Sequence, residues 1–366
     1  MRIGVPRESV AGERRVALVP DAIARLAKAG AGVVIERGAG ERAGLLDAAY
    51  AAAGATLGSD ADAFGADLVV KVQRPGAAEV GQMRAGAYLL CYLNPASGDQ
   101  SAIAGRRVTA FALELVPRTT LAQAMDTLSS QATLAGYKAV LFGAAELPRI
   151  LPMLTTAAGT LAPAKVFVIG AGVAGLQAIA TARRLGGVVS GFDVRAAARE
   201  QIGSLGATPI GGELPTAEGS GGYAKELAAE QARQVEALLA QHVTTMDLVI
   251  TTAQVPGRPA PRLLTAQMVQ GMKPGSVIVD LAAETGGNCE LTRAGETVEA
   301  HGVRIVGPVN LPATMPLHAS QMFSRNVSTF ILRFLKDGAF APDLADEIAG
   351  PMCLTHDGQL RHRGTP

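Results

Sequence analysis

The chain contains no HExxH, GxSxG or Walker A pattern, which removes the metalloprotease, serine hydrolase and P-loop readings. Its five histidines (His242, His301, His318, His356 and His362) stand apart with no metal-ligand spacing, so surface or capping roles suit them better than a metal centre. Three cysteines, Cys91, Cys289 and Cys353, form no CxxC and are odd in number, which fits reduced thiols in a cytosolic protein. Charge of one sign is also lacking. A net charge of +1 leaves neither a nucleic-acid footprint nor an acidic tail. The opening MRIGVPRES carries charge early and reads as a strand, not as a signal peptide. Val166 to Ala182 is a run of 17 uncharged residues, but it breaks at a glycine turn and is read as strand plus helix, not as a membrane span.

What is abundant points the other way. Hydrophobic residues make up 48% of 366, with 43 glycines, no tryptophan and 4% aromatics, a balance suited to tightly turned strands and alanine-rich helices. The length allows two domains, each with its own core.

The most informative stretch is KVFVIGAGVAGLQAIATARRLGGVVSGFDVR, Lys165 to Arg195. A buried-strand run, Val166 to Ile169, leads into Gly170-x-Gly172-x-x-Gly175, a helical segment, a second strand and Asp193. Gly170 allows a tight turn, Gly172 lets the backbone approach a pyrophosphate, and Gly175 lets the helix pack on the sheet. The helix N-terminus then faces the phosphates with its free N–H groups. Asp193 lies 18 residues after Gly175, where a carboxylate can accept both ribose hydroxyls. It would repel a 2′-phosphate, favouring NAD over NADP, although Arg195 could accommodate one.

Strand signals recur at βαβ spacing after Lys165: Val188–Phe192, Ala207–Ile210, Asp247–Thr251, Ser276–Leu281 and Val303–Val306, with helices at Ala224–His242 and Leu263–Met272. With Val166–Ile169 they make six strands, which imply a doubly wound parallel sheet with ligand at the carboxyl ends of its strands. The first part repeats the grammar without the fingerprint: strands at Arg2–Val5, Gly32–Ile35, Asp67–Val72, Ala87–Leu93 and Val108–Ala112, and a helix at Pro20–Lys28. A long helix is expected from Thr120 to about Phe142, a proline-punctuated segment from Leu147 to Pro163, and an amphipathic helix over Ser320–Leu335. The fold class is therefore α/β, two Rossmann-like doubly wound parallel-sheet domains separated by a cleft, the second carrying the fingerprint. The expected division is 1–125 plus 318–366 for the outer domain and 126–317 for the dinucleotide-binding one. Gly211–Glu226 reads either as a plain surface loop or as a mobile lid beside the cofactor.

ELVPRTTLAQAMDTLSSQATLAGYKAV, the fingerprint, GGYAKE, TTAQVPGRPAP, MKPGSVIVDLAAETGGN and the opening RIGVPRE…RRVALVPD together resemble the NAD(H)-binding component of proton-translocating nicotinamide nucleotide transhydrogenase. The wider superfamily includes alanine dehydrogenase. The resemblance covers nearly the whole chain. It implies hydride transfer between NAD(H) on this component and NADP(H) on a partner domain, coupled to proton translocation by a membrane-spanning subunit. It further implies a homodimer, cytoplasmic and peripheral to the membrane through its partners.

Carried over residue by residue, the resemblance puts Arg118, Gln123, Asp126 and Ser129 around the nicotinamide and its ribose. Hydride transfer between nicotinamides needs no proton, so alignment is their task; the alternative for Arg118 and Asp126 is an ion pair. Val173, Asp193, Val194 and Arg195 fall on the adenosine and pyrophosphate half, Gly222 and Tyr223 on the lid, and Thr252 and Ala253 at a strand end beside the cofactor. No metal is implied. In alanine dehydrogenase an arginine and a lysine bind the substrate carboxylate, and these match Arg15 and Lys71. The catalytic histidine of that enzyme falls where this chain has Asn94, and its aspartate where this chain has Glu284. Asparagine has no titratable proton for imine chemistry, so Arg15 and Lys71 are expected to pair with acids. A non-catalytic NAD-responsive protein is the remaining reading.

Overall fold

The structure, a computed structural model, describes residues 1–96, 98–212, 216, 229–255 and 258–361. Two compact units divide the chain: Met1–Gln131 with Pro312–Pro366, and Ala132–Leu311.

The first unit begins with β1 (Arg2–Val5), β2 (Gly32–Glu36), β3 (Thr56–Gly58), β4 (Leu68–Val70), β5 (Tyr88–Cys91) and β6 (Thr109–Ala112). The second unit contributes β7 (Leu154–Thr156), β8 (Gly159–Leu161), β9 (Lys165–Ile169), β10 (Val188–Phe192), β11 (Thr208–Ile210), β12 (Leu248–Thr251), β13 (Val277–Asp280), β14 (Thr297–Ala300) and β15 (Val303–Val306). The chain then returns to the first unit with β16 (Leu335–Lys336), β17 (Ala339–Phe340), β18 (Cys353–His356) and β19 (Gln359–Leu360).

Both large sheets are buried on two faces, which is why their strands read as continuous apolar runs. Along β9 the side chains alternate between two cores: Val166 and Val168 enter one, Phe167 and Ile169 the other. In the first unit Leu68 and Val70 of β4 face one core and Val69 the other. The second-unit order is β11-β10-β9-β12-β13-β15-β14. The order reverses between β9 and β12, which pair in parallel, and a reversal of this kind opens a crevice at the carboxyl ends of the two strands. The expected α/β class with Rossmann-like parallel sheets in both units is borne out, with antiparallel additions. β14 runs antiparallel to β15 at one edge. In the first unit, ordered β19-β18-β6-β5-β4-β1-β2-β3, β18 pairs antiparallel with β6.

Three local expectations are corrected. The long helix begins at Thr127, not Thr120, and runs to Glu146, because Gln123–Met125 form a separate 3₁₀ turn and Asp126 caps the helix. The segment Leu147–Pro163 holds an exposed hairpin, β7–β8. The later amphipathic helix starts four residues earlier than expected, at Pro316, since a proline suits a first helical turn. That helix carries buried Ser320, Ser324 and Ser328 at four-residue spacing. Ser320 and Ser324 accept the backbone N–H groups of Val16 and Val19 at 3.0 Å each, donors that no strand pairs.

Candidate functional site: a glycine turn at the reversal of strand order

The turn after β9 is built by close approach. Gly170 has φ +95°, open to glycine, and a Cβ there would stand 2.6 Å from the Thr252 hydroxyl. A Cβ on Gly175 would meet the Gly170 carbonyl oxygen at 1.8 Å, so only glycine lets the helix Val173–Arg184 sit against the turn. Gly172 differs from both. A Cβ there meets no atom of the described residues within 4 Å, and its φ is an ordinary −76°. Nothing among the described residues requires glycine at this point; a ligand drawn close to bare backbone would. The helix that follows has no side-chain cap on its first turn, which leaves donors and the positive end of its dipole for an anion. Val173 is exposed beside them.

The acid of the fingerprint has a second role that spacing did not reveal. Asp193 is 6% exposed, and its Oδ2 accepts the backbone N–H of Ala171 at 2.8 Å, tying the end of β10 to the turn. Arg195 donates to the same carboxylate through its backbone N–H and Nε to Oδ1, both 2.9 Å, and through Nη2 to Oδ2 at 2.8 Å. Burial pushes the Asp193 carboxyl up, but the Arg195 and Ala171 donors outweigh it and hold the group below its ordinary value. Val194 is half-buried on the adjoining core.

Across the reversal, the Thr252 hydroxyl donates to the Gly170 carbonyl at 2.9 Å. Ala253 is held on both sides by one buried amide: its N–H donates to Asn288 Oδ1 at 3.0 Å, and Asn288 Nδ2 donates to its carbonyl at 2.8 Å. Asn288 also donates to the Pro261 carbonyl at 2.8 Å. Asp280, at the end of β13, collects the N–H groups of Ala282 and Cys289 and the Thr292 hydroxyl, and so shapes the loop that presents Asn288. Sequence reasoning missed Asn288 and Asp280; the GGN following VIVDLAAET was the available signal. Gly222 and Tyr223 lie outside the described residues, as does most of Gly211–Glu226.

In the first unit, Arg118 and Gln123 are exposed, and Asp126 and Ser129 are half-buried. The structure brings Asp126 and Ser129 together: the carboxylate accepts the Ser129 N–H at 2.9 Å and its hydroxyl at 2.6 Å, an N-cap of the helix Thr127–Glu146.

Arg15 and Lys71 are both buried and held by acids. Arg15 reaches Glu13 through Nε at 2.8 Å and Nη2 at 2.6 Å, and Gln131 through Nη1 at 2.8 Å. Lys71 Nζ lies 2.9 and 3.0 Å from the two Glu79 oxygens. Buried Glu8 accepts the N–H groups of Val72 and Gln73, and burial, opposed by Lys71, pushes its carboxyl up to about 7. Asn94 sits at φ +50°, a left-handed backbone that asparagine tolerates, with its N–H on Glu114 at 2.7 Å. Exposed Glu284 accepts the Asn310 N–H at 3.2 Å. Half-buried His242 bonds Ser190 at 2.9 Å with its ring edge-on to Phe167, and His356 bonds Thr109 at 3.0 Å. Among the described residues, no group of three or more His, Cys, Asp or Glu side chains is placed to hold a metal ion, and no helix is long and apolar enough to cross a membrane.

A parallel sheet with a glycine turn, an uncapped helix and an acid at the next strand end defines a Rossmann-like domain suited to an anionic, diol-bearing ligand. The chain belongs to the alanine dehydrogenase/PNT family: the family's N-terminal domain matches residues 4–135 and its C-terminal domain residues 139–363. It is 48% identical over 377 residues to an NAD(P) transhydrogenase α-subunit polypeptide of Rhodospirillum rubrum, covering 99% of this chain and 98% of that one. It is 41% identical to the NAD(P) transhydrogenase subunit alpha of Haemophilus influenzae, covering 98% of this chain and 71% of that one. The transhydrogenase structure from Sinorhizobium meliloti superposes with a TM-score of 0.88 at 45% identity over 99% of both chains. An L-alanine dehydrogenase superposes at 0.83 with 30% identity over 99% of this chain and 97% of that one.

Proposed function

We propose that this protein is the NAD(H)-binding component of a proton-translocating transhydrogenase. It exchanges hydride with NADP(H) held on a partner component, and a membrane-spanning subunit couples the exchange to proton movement. The observation that carries the nucleotide reading is Gly172, open to ligand, under an uncapped helix and beside Asp193. These residues fit a dinucleotide. Gly170, Gly172, Val173 and Gly175 would take the pyrophosphate on backbone N–H groups, Asp193, Val194 and Arg195 the adenosine half, and Thr252, Ala253, Gly222 and Tyr223 the remaining flanks. Bound NADH supplies the hydride. Arg118, Gln123, Asp126 and Ser129 hold the nicotinamide end in line, and alignment alone is their contribution.

The alanine-dehydrogenase alternative is disfavoured by the first unit. Both cations that would grip a substrate carboxylate are already matched by Glu13 and Glu79, and Asn94 offers no proton. We further propose a homodimer, cytoplasmic and peripheral to the membrane through its partners. The exposed apolar residues at the β7–β8 hairpin, Met153 at 65%, Leu161 at 56% and Leu154 at 44%, support a covered surface there.

The test mixes the purified chain with the NADP-binding component and follows NADH-to-NADP-analogue transfer, with a pyruvate-plus-ammonia assay alongside. Transfer is expected only with the partner; turnover of pyruvate without it overturns the reading. Gln123→Asn and Asp126→Asn should slow transfer by about a hundredfold while NADH affinity changes little. Because asparagine caps a helix as well as aspartate does, Asp126→Asn separates alignment from helix stability. Unslowed transfer in both variants removes these two residues from the site.

A further inference from the structure

The Asp193 carboxylate is full. Two oxygens offer about four acceptor positions, and four donors occupy them: the Ala171 and Arg195 backbone N–H groups, and Nε and Nη2 of Arg195. The two backbone donors belong to the glycine turn and to the chain just after β10, and stay in place. The guanidinium differs. It places one donor on each oxygen, Nε on Oδ1 and Nη2 on Oδ2, at 2.9 and 2.8 Å. A vicinal diol, with one hydroxyl for each oxygen, makes the same two-pronged approach.

We propose that Arg195 is a resident stand-in for the nucleotide ribose, a specificity residue whose guanidinium must leave Asp193 before the diol can bind there. The inference rests on the nucleotide reading above and adds a competition to it. Its physical basis is that a carboxylate with all positions taken gains no hydrogen bond from a further donor, so ribose recognition is an exchange. A paired Asp193 also presents little net negative charge, so its repulsion of a 2′-phosphate is muted while Arg195 remains. The depressed Asp193 titration fits a carboxylate kept ionised by these donors. Removing the guanidinium then acts on both cofactors in opposite directions: the freed carboxylate takes the diol more readily, and the bare charge repels the phosphate more strongly.

The test is equilibrium titration of the full chain with NADH and with NADPH, for the unmodified protein, Arg195→Ala and Arg195→Lys. Arg195→Ala is expected to tighten NADH by about tenfold, the scale of one hydrogen bond to a charged group no longer displaced, and to widen the preference for NADH over NADPH. Arg195→Lys keeps the charge and loses the fork, so it should tighten NADH by less. If Arg195→Ala does not fold, as judged by circular dichroism, Arg195→Lys carries the test with the same sign. Weakened or unchanged NADH binding in the folded variant overturns the competition and makes Arg195 an ordinary contact or a bystander. Failure of the unmodified protein to bind NADH at all sinks the nucleotide reading instead, an outcome distinct from either.

Discussion

The Arg15–Lys71 region of the first unit and the glycine turn of the second are built from the same stock: parallel strands, a buried charge pair and a loop at a strand's carboxyl end. They differ in what is left over. In the first unit Arg15 is consumed by Glu13 and Gln131, and Lys71 by Glu79, all within hydrogen-bond distance. In the second, Gly172 faces no atom of the described residues and the helix beyond it has no side-chain cap. Buried charges demand partners from within the fold, whereas a glycine that the fold does not need implies a partner from outside.

The sharpest way to break this contrast is Arg15→Ala. If the region is internally matched, buried Glu13 loses its Arg15 guanidinium and keeps the Arg14 and residue-15 backbone N–H groups and the Gln73 amide as neutral donors, at a cost of ~3–5 kcal/mol in urea unfolding. A loss below about 1 kcal/mol, the range of exposed pairs, would mean the region is not closed.

A smaller and more selective effect comes from two glycines. Gly175→Ala forces a methyl into the Gly170 carbonyl and should cost ~1–3 kcal/mol. Gly172→Ala meets nothing among the described residues and should leave thermal unfolding nearly unchanged, yet weaken NADH binding severalfold or more. The contrast fails if Gly172→Ala destabilises as much as Gly175→Ala, or if it binds NADH as the unmodified chain does.

The smallest effect concerns Glu8. Its folded-state carboxyl titrates near 7 against an ordinary 4.5, so the folded state keeps a proton the unfolded chain has lost across that window. Stability from this group is present below about pH 4.5 and falls as pH rises toward 7. Glu8→Gln should flatten the melting temperature between pH 5 and 7; an unaltered slope would assign the dependence to other groups.

Much of this was legible in the sequence because it was local. The β9 run, the spacing of three glycines and the acid at the end of β10 share about thirty residues and one periodicity. What escaped depended on partners far along the chain. Asn288 reads as a loop asparagine until Ala253, 35 residues away, is seen held by both the oxygen and the nitrogen of its side-chain amide. Asp126 looked like a residue inside a helix because apolar spacing continues through Thr120–Met125, but its side-chain bonds to Ser129 compete with that continuation and start the helix one residue later. β14 was missed since four half-exposed residues, TVEA, carry no signal of their own. Ser320 and Ser324 look like polar flecks on an amphipathic helix until Val16 and Val19 appear beneath them.

The two serines, with β18, set an order in time. The second unit is one unbroken stretch of chain, Ala132–Leu311, and can close as soon as it leaves the ribosome. The first cannot. Its β6 edge waits for β18, and the Thr355 hydroxyl that reaches the Val108 carbonyl is encoded 247 residues later. At roughly 5–20 residues per second that wait is about 12–50 s, during which β6 is an open edge and, for all but its last part, Val16 and Val19 still lack their serine acceptors. The half made first is therefore finished last.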